Sequence, residues 1–250
     1  MWRGIGVALV TLFDGDLAVD VDATAAHAAR LVALGVRAVL VSGSTGEADA
    51  LTDAERVALV AAVKAACPGV PVLAGSSGAW TGASVERTAQ AVRAGADAVL
   101  VAPPRRAGDL VAYYTAVCAA AGPAPVLAYH YPPTAGGAVP VEALPTLPVQ
   151  GIKDSSGDAE RLLAELSTWD GPTYTGSAVL TGYAGHLGAA GAIVAVANAV
   201  PEDAVAAFDG DPAAQRRLYG AHLAGRDRFP HGLKELVAKR FGTPTASRLG

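Results

Sequence analysis

The sequence predicts an α/β fold, a (β/α)8 TIM barrel with additional C-terminal helices. Three observations predict it. The chain has 250 residues, about the length of one eight-stranded barrel. Short runs rich in Val, Ile and Leu alternate with longer Ala-rich stretches that carry Glu, Arg and Lys at helical spacing. Most of the runs are apolar throughout, as parallel strands are when helices cover one face and barrel side chains the other.

The first apolar run, Ile5 to Phe13, follows Met1, Trp2 and Arg3 and imitates a signal peptide. Asp14, Gly15 and Asp16 follow at once, without a small-residue cleavage pattern, so it reads as a strand over residues 6–11. The other strands are expected at 38–41, 70–74, 98–102, 125–129, 151–154, 173–175 and 192–196. Between them, helices are expected at 20–34, 53–66, 84–94, 109–120 and 158–167, several opening on Ser or Asp caps. Gly35 and Gly95 stand as C-caps. Leu-Gly-Val-Arg-Ala-Val-Leu-Val at 34–41 and Ala-Gly-Ala-Asp-Ala-Val-Leu-Val at 94–101 are nearly one phrase, the mark of a repeated unit.

After the eighth strand, 201–208, 212–226 and 232–241 read as helices, with Pro230 and Pro244 as breaks. The last two are expected as additions packed on the barrel. No low-complexity linker divides the chain, so residues 1–250 are read as one domain, with the barrel over about 4–208 and the appended helices over about 212–250. A doubly wound open sheet is the alternative architecture.

The chain is 52% hydrophobic and 17% charged, a composition of ordered globular proteins. A net charge of -4 gives no general attraction to nucleic acid or to an anionic membrane. No apolar run approaches the roughly 20 residues of a membrane helix. Small-molecule chemistry in the cytoplasm is therefore expected. Cys67 and Cys118 lack C-x-x-C spacing and read as reduced, buried thiols. The five histidines are scattered without ligand spacing, so no metal is expected. Gly185 to Gly191 matches a dinucleotide fingerprint only loosely and lacks its G-x-G start.

In a barrel the active site lies at the C-terminal strand ends. Three such ends carry chemistry: Ser42-Gly-Ser-Thr-Gly-Glu47, Ala128-Tyr-His-Tyr-Pro132 and Gly151-Ile-Lys-Asp-Ser-Ser156. Lys153 stands on a strand that points into a closed interior. By position alone it is either half of an ion pair, with Asp154 or a neighbouring strand's acid, or a functional amine whose pKa burial has lowered. Gly43, Ser44, Thr45 and Gly46 offer two hydroxyls and accessible N–H groups, suited to a carboxylate, or they make a tight turn. The spacing of a phosphate-binding P-loop is absent. Tyr129 either transfers protons or packs with its hydroxyl satisfied.

Together these segments resemble the dihydrodipicolinate synthase and N-acetylneuraminate lyase family of pyruvate-dependent class I aldolases, over about residues 4–200. Val7 to Thr11 and Gly191-Ala-Ile-Val-Ala-Val-Ala-Asn198, which includes Ile193, are similar to the family's first and eighth strands. The resemblance implies a Schiff base between Lys153 and pyruvate, with Tyr129 shuttling protons and Ser44 relaying them. It places Gly43 and Thr45 against the pyruvate carboxylate. It implies no metal or organic cofactor, a pyruvate or other 2-keto acid and an aldehyde as partners, and a homo-oligomer, dimer or tetramer.

Tyr129-His-Tyr-Pro-Pro-Thr134 is similar to the 2-keto-3-deoxygluconate aldolase branch, which would carry Ser155, Gly176 and Ser177 into the sugar-acid pocket. Lysine-biosynthetic members place an arginine at the position of Thr134. Ala178 stands where an acidic residue is often found. After the fourth strand the family's tyrosine pair is replaced around Pro104-Arg105-Arg106, whose arginines either bind an anionic substrate or lie in a solvated loop. The chain is also shorter at its C-terminal end than family members usually are, which bears on tetramer formation. The expected function is a Schiff-base-forming aldolase for a 2-keto-3-deoxy sugar acid or related 4-hydroxy-2-keto acid. The alternatives are dihydrodipicolinate synthase and a catalytically silent keto-acid-binding barrel.

Overall fold

Eight parallel strands close on themselves in chain order in the computed structural model, which describes residues 1–249. They are β1 (Gly4–Ala8), β2 (Ala38–Val41), β3 (Val72–Gly75), β4 (Ala98–Val101), β5 (Val126–His130), β6 (Gly151–Asp154), β7 (Thr173–Thr175) and β8 (Gly191–Val194). Closure comes from β1 pairing with β8, Gly6 opposite Ile193, so the open-sheet alternative is ruled out. Helices α1 (Val21–Ala33), α2 (Asp53–Ala66), α3 (Thr81–Arg93) and α4 (Leu110–Ala121) follow the first four strands. Then α5 (Ala159–Thr168), α6 (Thr181–His186) and α7 (Pro201–Phe208) follow β6, β7 and β8. After β5 only a 3-10 turn, Val141–Thr146, takes the helix position, because Pro145 inside it removes a backbone donor.

Local chemistry sets the helix ends. Thr52 and Glu55 form a reciprocal capping box at the start of α2, and Asp20, Asp109 and Asp158 each accept a backbone N–H at theirs. Gly35 and Gly95 follow α1 and α3 with φ of 104° and 102°, the left-handed turn that glycine allows.

Two of the expected boundaries move by three residues, and the others by two or fewer. β1 ends at Ala8, short of residue 11, because Val10 N donates to the Asn198 side chain and Thr11 Oγ1 to Gly46 O, so the ladder stops. α3 starts at Thr81, before residue 84: Ser84 does not cap the helix but lies inside its first turns, its hydroxyl taking Gly78 N and Tyr113 Oη.

Alternation along each strand makes two apolar layers. Leu40, Leu73, Leu100, Leu127, Tyr174 and Ile193 fill the interior. Val39, Val72, Val99 and Ile152 face the helices, meeting Leu31, Val60 and Val63. Trp2 stacks on Tyr174 at 4.3 Å between centroids and closes the N-terminal end of the barrel. Helices α8 (Pro212–Arg226) and α9 (His231–Phe241) follow α7, α8 packing on α7 and α9 on α8. Cys67 and Cys118 are free thiols. Among the described residues no helix is long and apolar enough to cross a membrane.

Candidate active site

Register puts Lys153 at the mouth of the interior. It pairs with Tyr129 on one side and Tyr174 on the other, and residues opposite one another in a sheet share a face. The next residue, Asp154, therefore points outward. There it accepts Ser156 N at 2.7 Å and Ser156 Oγ at 2.9 Å and meets Arg161 Nε at 3.3 Å. No carboxylate lies within ion-pair distance of Lys153 among the described residues, so the ion-pair reading does not hold. The lysine is 5% exposed, and burial alone lowers its pKa to about 7. Its Nζ sits 4.8 Å from the centre of the Tyr129 ring.

Tyr129 is also buried. Burial pushes its phenol above the ordinary tyrosine value, against the opposing effect of the Ser155 and Ser44 hydroxyls. His130, one residue on, faces away and accepts Val139 N at its Nδ1. Just after β7, Gly176 leaves the space the lysine needs: a Cβ there would stand 1.9 Å from Ser155 Oγ and 3.0 Å from Lys153 Cε. Only glycine fits without displacing both.

The loop after β2 is bent by two residues in the left-handed region, Ser42 with φ 54° and Glu47 with φ 56°. Neither is glycine, so the conformation costs energy that surrounding contacts must offset. Between them Ser44–Gly46 forms a single 3-10 turn. Thr11 Oγ1 bonds Gly46 O at 2.8 Å, and a Cβ on Gly46 would lie 2.9 Å from Leu9 O. The turn is thus pressed on the end of β1, with Ser44 and Thr45 presented towards β5 and β6.

These side chains surround a cavity of about 420 Å3 lined by Lys153, Tyr129, Ser44, Thr45, Ser155, Gly176, Ser177 and Ile193. Gly43 stands apart from it, in an adjoining hollow of about 70 Å3 that also reaches Lys153, Tyr129 and Thr134. Among the described residues no Asp or Glu lines the 420 Å3 cavity. A wider hollow of about 1120 Å3 on the rim contains neither Lys153 nor Tyr129, so size does not mark the chemistry.

Several lining residues had no motif to announce them. His222, Gly225 and Arg226 of α8, with Phe229 and Leu233, cover the mouth, so the appended helices wall the site. Tyr131, which belongs to the same segment as Tyr129, residues 128–132, lies 6.4 Å from it between ring centres and is the second phenol on the cavity. Tyr113 and Tyr114 do not supply one: their hydroxyls bond the Ala102 and Val101 carbonyls below the rim. Arg105 donates to the Pro132 and Pro133 carbonyls at 3.0 and 3.4 Å and ties the loop after β4 to the loop after β5. Among the described residues, no three of His, Cys, Asp and Glu gather as metal ligands.

Residues 1–215 match the dihydrodipicolinate synthetase family. A 4-hydroxy-tetrahydrodipicolinate synthase of Streptomyces coelicolor is 37% identical, over 97% of this chain and 81% of the relative. A DapA-like lyase of Halobacterium salinarum is 36% identical, over 83% and 71%. YagE, a prophage protein of the dihydrodipicolinic acid synthase family from E. coli K12 solved in complex with pyruvate, superposes with a TM-score of 0.89 at 26% identity, over 99% of this chain and 91% of its own.

Proposed function

The chain belongs to the dihydrodipicolinate synthetase family, and on that premise we propose that it interconverts pyruvate plus an aldehyde with a 2-keto-3-deoxy sugar acid or related 4-hydroxy-2-keto acid through Lys153. Enzymes of this family are aldolase-type lyases that hold pyruvate as a lysine Schiff base and need no cofactor. The observation that carries the assignment to Lys153 is its burial, without a counter-ion, at the mouth of the barrel beside Tyr129 and the Ser44–Thr45 turn.

A pKa near 7 leaves a large share of the amine neutral at neutral pH, and the neutral amine is the nucleophile. Its nitrogen attacks the keto carbon, and loss of water gives a protonated imine. The imine withdraws electrons from the adjacent carbon, so a C3 proton passes to the Tyr129 oxygen. The resulting enamine attacks the aldehyde, whose oxygen takes that proton from Tyr129 to become the hydroxyl. Hydrolysis frees the product, and the reverse sequence cleaves it. Tyr129, held protonated by burial, donates to the departing oxygen and recovers the proton later, with Ser44 as relay. The Thr45 hydroxyl and the turn's N–H groups hold the pyruvate carboxylate.

Thr134 in place of a cationic group and the hydroxyls of Ser155 and Ser177 on the cavity favour a polyhydroxylated aldehyde. The second reading is dihydrodipicolinate synthase, favoured by the Streptomyces coelicolor relative's name. Borohydride reduction in the presence of pyruvate is expected to leave a three-carbon adduct on Lys153. Absence of that adduct in the wild-type protein, or its persistence in Lys153→Ala, defeats the mechanism. Turnover with aspartate semialdehyde exceeding that with glyceraldehyde selects the second reading.

A further inference from the structure

Glu47, a fully buried carboxylate on the catalytic face that accepts four hydrogen bonds, has no part in the mechanism. It ends the turn that carries Ser44 and Thr45, two residues after Thr45, and is fully buried. Oε1 accepts Lys234 Nζ of α9 at 2.5 Å. Oε2 accepts Ser247 Oγ at 2.9 Å, Arg248 N at 2.7 Å and Leu249 N at 2.9 Å. Lys234 also donates to Ala246 O at 2.7 Å. Every partner of this carboxylate thus comes from the last stretch of the chain, some 190 to 200 residues away.

Arg248 fastens the same stretch from its other side, donating to Leu17 O and Ala50 O and pairing with Glu55 at 2.7 Å. Lys234 and Arg248 both lie over the Phe13 ring, 4.4 and 4.7 Å from its centre. The neighbour of Lys234, Leu233, lines the Lys153 cavity. Tail, last helix and catalytic turn therefore form one connected hydrogen-bonded unit.

We propose that Glu47 is a positioning residue and that the C-terminal segment, residues 243–249, is a working part of the site: seated on Glu47, it holds the left-handed bend that presents Thr45 and the turn's N–H groups to the substrate carboxylate. A non-glycine residue at φ 56° keeps that conformation only while its surroundings impose it. The backbone of Glu47 is held by Ser44 O and Ala50 N, and its side chain by four donors from the C-terminal segment and α9. This inference rests on the reading that the turn grips a 2-keto acid bound at Lys153.

The test separates carboxylate grip from amine reactivity by trapping Lys153 with two carbonyl compounds, pyruvate and acetaldehyde, which has no carboxylate. Wild type, Glu47→Gln and a chain lacking residues 243–250 are titrated with each and reduced with borohydride. In both variants the pyruvate concentration for half-maximal trapping is expected to rise at least about tenfold, a typical loss for a charge-assisted contact. Acetaldehyde trapping should stay within about twofold. A synthetic peptide of residues 243–250 added to the shortened chain should restore pyruvate trapping in part.

Unchanged pyruvate trapping in Glu47→Gln overturns the proposal, and so does an equal fall with both probes, which is the signature of general loosening. Should the shortened chain not fold, Glu47→Gln and Ser247→Ala carry the comparison by themselves. A wild-type protein that traps acetaldehyde but not pyruvate overturns the underlying reading instead, so the two failures are distinguishable.

Discussion

Two lysines of this chain are buried at the same end of the barrel, and they are built in opposite ways. Lys153 is 5% exposed with no acid beside it, whereas Lys234 is fully buried against Glu47 and hydrogen-bonded to Ala246 O. Burial lowers both pKa values. At Lys234 the Glu47 carboxylate pulls in the other direction, and at Lys153 nothing does. A buried ammonium with a partner is a structural element, because removing either half strands the other charge. A buried amine without one is free to lose its proton and act as a nucleophile.

The first way to break this comparison is to remove each amine. Lys153→Ala is expected to abolish the borohydride adduct and to lower turnover by more than about a thousandfold, since no other group can form the imine. Its thermal midpoint should hold or rise, because an unpaired buried amine gives the fold nothing. Lys234→Met is expected to do the reverse for stability. It should cost about 3–5 kcal/mol in urea unfolding, the usual result of leaving a buried carboxylate without its cation. If Lys153→Ala proves the less stable of the two, the contrast between the lysines is wrong.

Lys234 was invisible in the sequence for the same reason that Lys153 was legible. Lys153 belongs to a short segment, Gly151-Ile-Lys-Asp154, whose apolar neighbours and strand periodicity put it inside the barrel; β6 forms over the predicted residues. Ser44, Thr45 and Tyr129 follow two other strands in the same manner, and the barrel's closure brings them together. Glu47 and Lys234 are 187 residues apart, and nothing local marks them as partners. The end of β1 failed for that reason too, since Asn198, 188 residues on, takes the N–H of Val10. The cover over the cavity, Arg226 and Phe229 included, depends on how α8 lies across the barrel, which helical periodicity does not specify. What short segments decide was readable, and what distant side chains decide was not.

Acidity sharpens the comparison next. Below pH 7 Lys153 is mostly protonated, so the rate of pyruvate trapping should rise about tenfold per pH unit and level off above a midpoint near 7. The stability effect has a definite sign. The folded-state pKa lies below the unfolded value of 10.5, so the unfolded chain binds the extra proton between about pH 7 and 10.5, and this group makes stability increase with pH across that window. Lys153→Met should remove that part of the slope. A trapping midpoint near 10, the value of a solvated lysine, would show that burial does not tune this amine.

A third lysine supplies the smallest effect and the control. Lys64, at the end of α2, meets both oxygens of Asp97 at 2.7 Å, a shorter contact than many buried ones. Both side chains are more than a third exposed, 36% and 38%. Water screens the pair and the long side chain gives up rotamer freedom to form it, so the two effects nearly cancel. Lys64→Met should therefore change unfolding free energy by less than about 1 kcal/mol and leave pyruvate trapping at its wild-type midpoint. Asp97 also accepts Val72 N at 2.8 Å, so Asp97→Asn should cost more than the loss of its lysine. Were Lys64→Met to rival Lys234→Met, distance and not burial would rank these ion pairs, and the distinction between the two buried lysines would lose its physical basis.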